Sequence, residues 1–304
     1  MITVLSGGVG AARLLRALRA EARPSELRAV VNVGDDLVLH GLTICPDLDT
    51  ILYTLAGLNN DQTGWGLAGE SWRVMDELEA IGGESWFRLG DRDLATHLYR
   101  SQRMADGATK TAVSAELTSA LGVDVALLPV TDDPVSTVFE TALGRLSFQE
   151  YFVRHHHEVA VSRVEVLGAA SARATPSALS AIDDARRVVL APSNPIISID
   201  PILQIPGVRD AVRRRRDDVV AVSPIVGGAA LKGPADRLLF ELGHDVSCVG
   251  VADFYGDIVG TWVIDEVDAG HERALRQRGY EVRVTTTIMG RGANDAALAS
   301  AVLS

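Results

Sequence analysis

A chain of 304 residues, 47% of them hydrophobic, is long enough for one large α/β core with an insertion or for two domains, and its formal charge of −11 argues against a nucleic-acid face or an anionic membrane as the main partner. Two cysteines make no disulfide framework, which points to a reduced, cytoplasmic setting. Met1 leads straight into a strand-like segment without the basic start of a signal peptide, and no apolar run approaches the ~20 residues that a membrane span needs.

Residues 2–6 read as a buried strand, Gly7-Gly8-Val9-Gly10 as a tight turn, and 11–22 as a helix with Leu14, Leu15 and Leu18 on one side. Glycines let the backbone approach a ligand and a helix N-terminus offers free N–H groups, so this unit suits a phosphate. Arg13 stands where a dinucleotide fingerprint would have its third glycine, and it can pair with a phosphate itself.

A second strand is expected at 27–33, and the segment after it is the polar centre of the chain. Asn32, Asp35, Asp36 and His40 are followed by Cys45-Pro46-Asp47-Leu48-Asp49-Thr50 at the start of a helix over 46–58. Open α/β sheets hold ligands at the C-terminal edges of their strands, and carboxylates this dense are relieved by a hard cation with oxygen ligands. Turn chemistry and helix capping account for each carboxylate singly, but less readily for the whole set. Asp47 and Asp49 are two apart, so a regular helix turns them roughly 200° from each other; they can share a metal only if one lies in the loop before the helix.

From 59 to 163 the pattern changes, with Trp65, Trp72 and Trp86 in one region. Helical periodicity at 71–81, 91–104 and 109–121, with strands at 125–130, 135–141 and 159–167, predicts a mostly helical insertion carrying a few strands. Within it, Leu89-Gly90-Asp91-Arg92-Asp93 joins a glycine turn to the start of a helix, where Asp91 and Arg92 suit capping and solvation. Aromatic rings beside a polar pocket would suit a flat ligand, with core filling as the alternative. His155-His156-His157 cannot converge on one ion in regular backbone, and the basic run at 213–216 reads as a solvated helix end.

Strands at 187–191, 219–223, 247–251, 262–265 and 281–285 then alternate with helices at 176–184, 205–214, 234–242, 269–278 and 294–302. The fold class that follows is α/β: a doubly wound, parallel, Rossmann-like sheet built from 1–58 and 164–304, with 59–163 inserted. The turns Ala191-Pro192-Ser193-Asn194-Pro195 and 223–232, the latter carrying Gly227, Gly228 and Lys232, offer hydroxyl, amide and glycine N–H groups suited to a nucleotide's phosphates and sugar. Gly233 after Lys232 rules against a Walker A loop, and hence against a P-loop NTPase.

Six separated motifs, Ser6-Gly7-Gly8-Val9-Gly10, Ile44-Cys45-Pro46-Asp47-Leu48-Asp49-Thr50, Leu89-Gly90-Asp91-Arg92-Asp93 with Ala95-Thr96-His97, Thr131-Asp132-Asp133-Pro134-Val135-Ser136-Thr137, Pro192-Ser193-Asn194-Pro195 and Ser223-Pro224-Ile225, together resemble the 2-phospho-L-lactate transferase family. Members of that family build the deazaflavin coenzyme F-420, and the actinobacterial branch is described as phosphoenolpyruvate transferases. The resemblance implies a reaction in which the ribityl hydroxyl of the deazaflavin Fo attacks the phosphorus of guanylylated phosphoenolpyruvate or phospholactate, GMP leaves, and a phosphodiester forms. It implies a divalent metal, usually Mg2+, at Asp47 and Asp49, and catalytic roles for Asp35, Asp47 and Asp49. Guanosine nucleotide contacts fall to Gly7, Gly8, Val9, Gly10, Arg13, Ser193, Asn194, Gly227 and Lys232, and deazaflavin contacts to Asn32, Asp91, Arg92, Thr96 and His97. One carboxylate of Asp35, Asp36, Asp47 and Asp49 is expected to accept the hydroxyl proton, the Cys45 thiol is not expected to be catalytic, and a cytoplasmic homodimer is expected. The alternative is a non-catalytic, nucleotide-sugar-binding regulator of the gluconeogenesis-factor type, which the Pro46–Asp49 and Leu89–Asp93 motifs disfavour. A third reading is a nicotinamide dehydrogenase with Asp35 on the ribose.

Overall fold

A computed structural model describes residues 1–290 and 292–304. Its centre is a sheet of seven strands: β1 (Ile2–Ser6), β2 (Leu27–Val31), β3 (Ala126–Pro129), β4 (Arg187–Leu190), β5 (Val219–Val222), β6 (Thr261–Ile264) and β7 (Glu281–Val284). They lie in the order β7-β6-β5-β4-β1-β2-β3, and every neighbouring pair is parallel. A parallel sheet is covered by helices on both faces, so its inner strands are buried on both sides. The five residues of β1 and the four each of β5 and β6 are all buried. Helix α1 (Gly8–Glu21) buries Leu14, Leu15 and Leu18 and packs between α2 (Pro46–Leu55) and the C-terminal helix Ala293–Leu303. The expected doubly wound α/β architecture is therefore present.

Strand order turns back on itself between β1 and β4. From β1 the chain proceeds outward through β2 to β3, then returns to the other side of β1 and proceeds outward again through β4 to β7. The C-terminal ends of β1 and β4 thus border the crevice where such sheets receive their ligands.

The inserted region holds α3 (Arg73–Ala80), α4 (Asp93–Ala105), α5 (Lys110–Ala120) and a three-stranded antiparallel sheet made of Ser136–Thr141, Gly144–Ser147 and Val161–Leu167, so it runs past the expected end at 163, which falls inside the last strand. Two further expectations need correction. Strand β3, assigned to the insertion by sequence, completes the main sheet: Arg28 to Val31 pair with Ala126 to Pro129. It occupies an edge, where a proline without an N–H is tolerated. The segment 247–251, expected as a strand from its valines, opens the helix Cys248–Tyr255, because the Ser247 hydroxyl caps it by accepting the Gly250 N–H at 3.0 Å. Among the described residues no helix is long and apolar enough to cross a membrane.

Candidate active site

The turn after β1 and the turn after β4 are pressed together. A Cβ on Gly10 would lie 2.3 Å from the Pro192 carbonyl oxygen, and one on Gly7 would lie 2.8 Å from Ser198 Cβ and 2.9 Å from Asp47 Oδ2. Only glycine fits at either position, and the Ser193 hydroxyl donates to the Gly7 carbonyl at 2.7 Å to fasten the two turns. Beside them, Asn194 Oδ1 accepts from the Ile196 N–H at 3.0 Å, which fixes the side chain. Its buried Nδ2 meets no partner among the described residues. A buried amide donor left open in a crevice is a place for a ligand acceptor.

Next to this seam lies a carboxylate pair. Asn32, fully buried at the end of β2, is oriented by the Gly34 N–H donating to its Oδ1 at 2.9 Å. Its Nδ2 then lies 2.9 Å from Asp47 Oδ2, 3.2 Å from Asp35 Oδ1 and 3.3 Å from the Ile197 carbonyl. Asp47 Oδ1 also accepts the Gly8 N–H at 2.7 Å, so the acid sits on the N-terminus of α1. Both carboxylates are buried, and among the described residues no basic side chain pairs with either. Burial, with Asp47 beside it, pushes Asp35 well above the usual carboxylate range. Burial likewise pushes Asp47 up to about 7, against the opposing bonds from Asn32 and Gly8. Two under-compensated acids around one amide form an all-oxygen donor set that fits a hard divalent cation.

Asp49 has the opposite surroundings. Both its oxygens accept from the Arg100 guanidinium, with Nη1 to Oδ2 at 3.1 Å, and Arg100 also donates to the Thr43 carbonyl at 3.3 Å. His97 lies behind, with Nδ1 3.7 Å from Asp49 Oδ2 and Nε2 3.3 Å from Asp93 Oδ2; the Tyr53 hydroxyl donates to Asp93 Oδ1 at 2.6 Å. Burial works to raise the Asp93 pKa, but the nearby His97 ring and the Tyr53 hydroxyl bond outweigh it and hold Asp93 below the usual range. Asp47 and Asp49 both lie inside α2, so neither meets the loop condition for sharing a cation; the structure turns them to different partners. The partner of Asp47 is Asp35. Asp36, by contrast, is paired with Lys110.

The remaining predicted residues divide in the same way. Lys232 Nζ donates to the Thr63 carbonyl at 3.2 Å, and a Cβ on Gly64 would lie 3.0 Å from both Lys232 Nζ and Val9 Cγ1. Burial and the neighbouring Arg13 charge lower the Lys232 pKa, so Val9, Arg13 and Lys232 meet beside the glycine turn. Gly227 sits apart on the hairpin Ile225–Val226 and Ala229–Ala230, its N–H shared at 3.1 Å by both oxygens of Asp268. Asp91 caps α3, accepting from the Ser71 hydroxyl at 2.6 Å and from the Arg73 and Val74 N–H groups at 3.1 Å. Arg92 donates to the Ala68 carbonyl. Both therefore tie the 68–74 segment to the start of α4; the cap expected on α4 itself is instead made across to α3, and Arg92 makes no side-chain cap on α4. Thr96 flanks the Tyr53 hydroxyl and His97 is buried behind Asp49, whereas Asn32 belongs to the carboxylate pair. Cys45 is buried, and burial pushes its thiol well above the ordinary range, which does not suit a nucleophile.

Arg100, Lys110 and Tyr53 were not singled out by sequence, and Asp93 was quoted within a motif without a site role. The spacing of Asp93, His97 and Arg100 along α4 places them on one helical face and is the signal that finds them. Lysine and arginine on helices ordinarily read as solvated, yet Arg100 is 2% and Lys110 6% exposed.

The chain is similar in sequence and in fold to known proteins. The model of the family described as 2-phospho-L-lactate transferase CofD matches residues 2–292. A phosphoenolpyruvate transferase of Thermobifida fusca is 44% identical over 316 residues, covering 99% of this chain and 96% of that protein. One from Streptomyces coelicolor is 41% identical, covering 95% and 92%. A 2-phospho-L-lactate transferase of Methanosarcina mazei is 38% identical, covering 94% of each. Among solved structures, a UPF0052-family protein of Bacillus halodurans shares the fold, with a TM-score of 0.66 at 17% identity, covering 100% of this chain and 98% of that one.

Proposed function

The chain belongs to the 2-phospho-L-lactate transferase family, and on that premise we propose that it joins the deazaflavin Fo to the phosphoenolpyruvyl group of a guanylylated donor, with release of GMP and with Mg2+ as the divalent metal. The enolpyruvyl donor is preferred to the lactyl one because the relatives named phosphoenolpyruvate transferase, at 44% and 41% identity, stand nearer than the 2-phospho-L-lactate transferase at 38%. The observation that carries the reading is the buried Asp35 and Asp47 pair around the Asn32 amide, beside Gly8 at the crossing of the sheet.

Asp35 and Asp47 would hold the metal. When bound, it supplies Lewis-acid polarisation of the phosphoryl oxygens. The glycine turn, the Asn194 amide, Arg13 and Lys232 bind and orient the anionic donor, which an acidic protein would otherwise repel. The Fo hydroxyl oxygen forms its bond to phosphorus as the bond from phosphorus to GMP breaks. The hydroxyl proton passes to Asp35, whose Oδ1 is held by Asn32 and whose Oδ2 we assign to the proton. The pair Asp49 and Arg100 holds α2 in place from the other side. With Asp35 bonded to Asn32 beside Asp47, the ribose contact of a dehydrogenase has no support.

The test is mass spectrometry of Fo incubated with guanylylated phosphoenolpyruvate or guanylylated phospholactate, with and without Mg2+. A metal-dependent phosphodiester is expected, formed faster from the enolpyruvyl donor. Absence of product with both donors would overturn the reading.

A further inference from the structure

Away from the carboxylate pair, three side chains of different chemistry converge. The Sγ of Cys248, a carboxylate oxygen of Asp268 and a ring nitrogen of His271 all lie within 4.8 Å of one another. We propose that these three residues form a second metal site, for a borderline divalent cation of the zinc class, distinct from the all-oxygen site at Asp35 and Asp47.

The backbone brings them together for definite reasons. Glu266–His271 is a 3-10 segment, and with three residues per turn the side chains of Asp268 and His271 stack on one edge. Cys248 enters from the first position of the helix Cys248–Tyr255, which packs on that segment and is fixed there by the Ser247 cap. Cys248 and Asp268 are buried, whereas His271 keeps contact with solvent. Two ligands are thus set in the protein and the third closes the site from outside.

The donor set selects the metal. Thiolate, imidazole and carboxylate suit Zn2+, which accepts three protein ligands and leaves a fourth position for solvent; Mg2+ demands an oxygen octahedron and rejects sulfur. As the metal–sulfur bond forms, the thiol proton leaves to solvent. Asp268 is already oriented by the Gly227 N–H, in the manner of an outer-shell partner that aims a metal ligand. An occupied site would therefore join the helix, the 3-10 segment and the glycine hairpin that precedes Lys232.

The experiment is titration of the full chain with Co2+ in excess Mg2+, read by absorption. One equivalent should bind with a thiolate-to-cobalt charge-transfer band in the near ultraviolet, and Zn2+ should displace it. Cys248→Ser should abolish the band, with circular dichroism reporting that the fold is kept. His271→Ala should weaken binding by at least about tenfold, the loss commonly seen even for an outer-shell partner. No charge-transfer band in the wild type, a band that survives Cys248→Ser and so belongs to Cys45, or unchanged affinity in His271→Ala would each overturn the proposal. None of these readings depends on Fo or on the guanylylated donor.

Discussion

Two sides of α2 carry acids two residues apart with opposite electrostatic settings. Asp49 meets the full charge of Arg100 and is backed by His97, Asp93 and Tyr53. Among the described residues, Asp47 meets only an amide and one backbone N–H, with a second acid beside it, and its pKa rises to about 7. A buried acid with its own guanidinium is part of the scaffold; a buried pair without a basic partner is set up to receive a cation. The distinction separates the proposed metal face from the supporting face without reference to any relative.

The largest expected effect falls on the cation face. Asp47→Asn should lower turnover by about three orders of magnitude, as expected when a Lewis acid worth several kcal/mol is lost. The metal-free melting temperature should stay level or rise, since a buried, poorly compensated charge is removed. Turnover within tenfold of the wild type would assign the metal elsewhere.

On the supporting face, Arg100→Leu should cost about 3–5 kcal/mol of stability, because it strands Asp49 as a buried charge. Combining it with Asp49→Asn should restore most of the loss in denaturant melts. An Arg100→Leu cost below about 1 kcal/mol, the scale of an exposed ion pair, would remove the contrast between the two faces.

The smallest effect is one of pH. Asp47 has a raised pKa in the folded state, so between about pH 4 and about pH 7 the folded state binds more protons than the unfolded one. Stability of the metal-free protein should therefore fall as pH rises through that window, by an amount on the order of a few kcal/mol shared with Asp35. The difference between wild type and Asp47→Asn isolates the contribution, and saturating Mg2+ should flatten it. A wild type whose stability climbs relative to the variant over that window would show that Asp47 is compensated after all.

Sequence reasoning recovered the sheet because its inner strands are mostly apolar and buried on both faces and its helices periodic. It failed at 247–251, where a serine cap overrode a valine-rich segment, and at Ala126–Pro129, where local pattern finds a strand but cannot tell which sheet it joins. The glycine turn, Asn32, Asp35 and Asp47 were legible from residue type and position after a strand. The separation of Asp47 from Asp49 was foreshadowed by helical spacing alone. The role of Arg100 was not legible, since a charged residue on an amphipathic helix becomes informative only when its burial is known.

The placement of Ala126–Pro129 beside β2 bears on how this architecture can be altered. Excising 59–163 would not lift out a self-contained cassette; it would strip β2 of a neighbour and leave a row of backbone amides and carbonyls open to pairing with another molecule. Recombination or protein engineering that trades this segment between relatives must keep that short strand with the host scaffold, or accept a chain prone to aggregate.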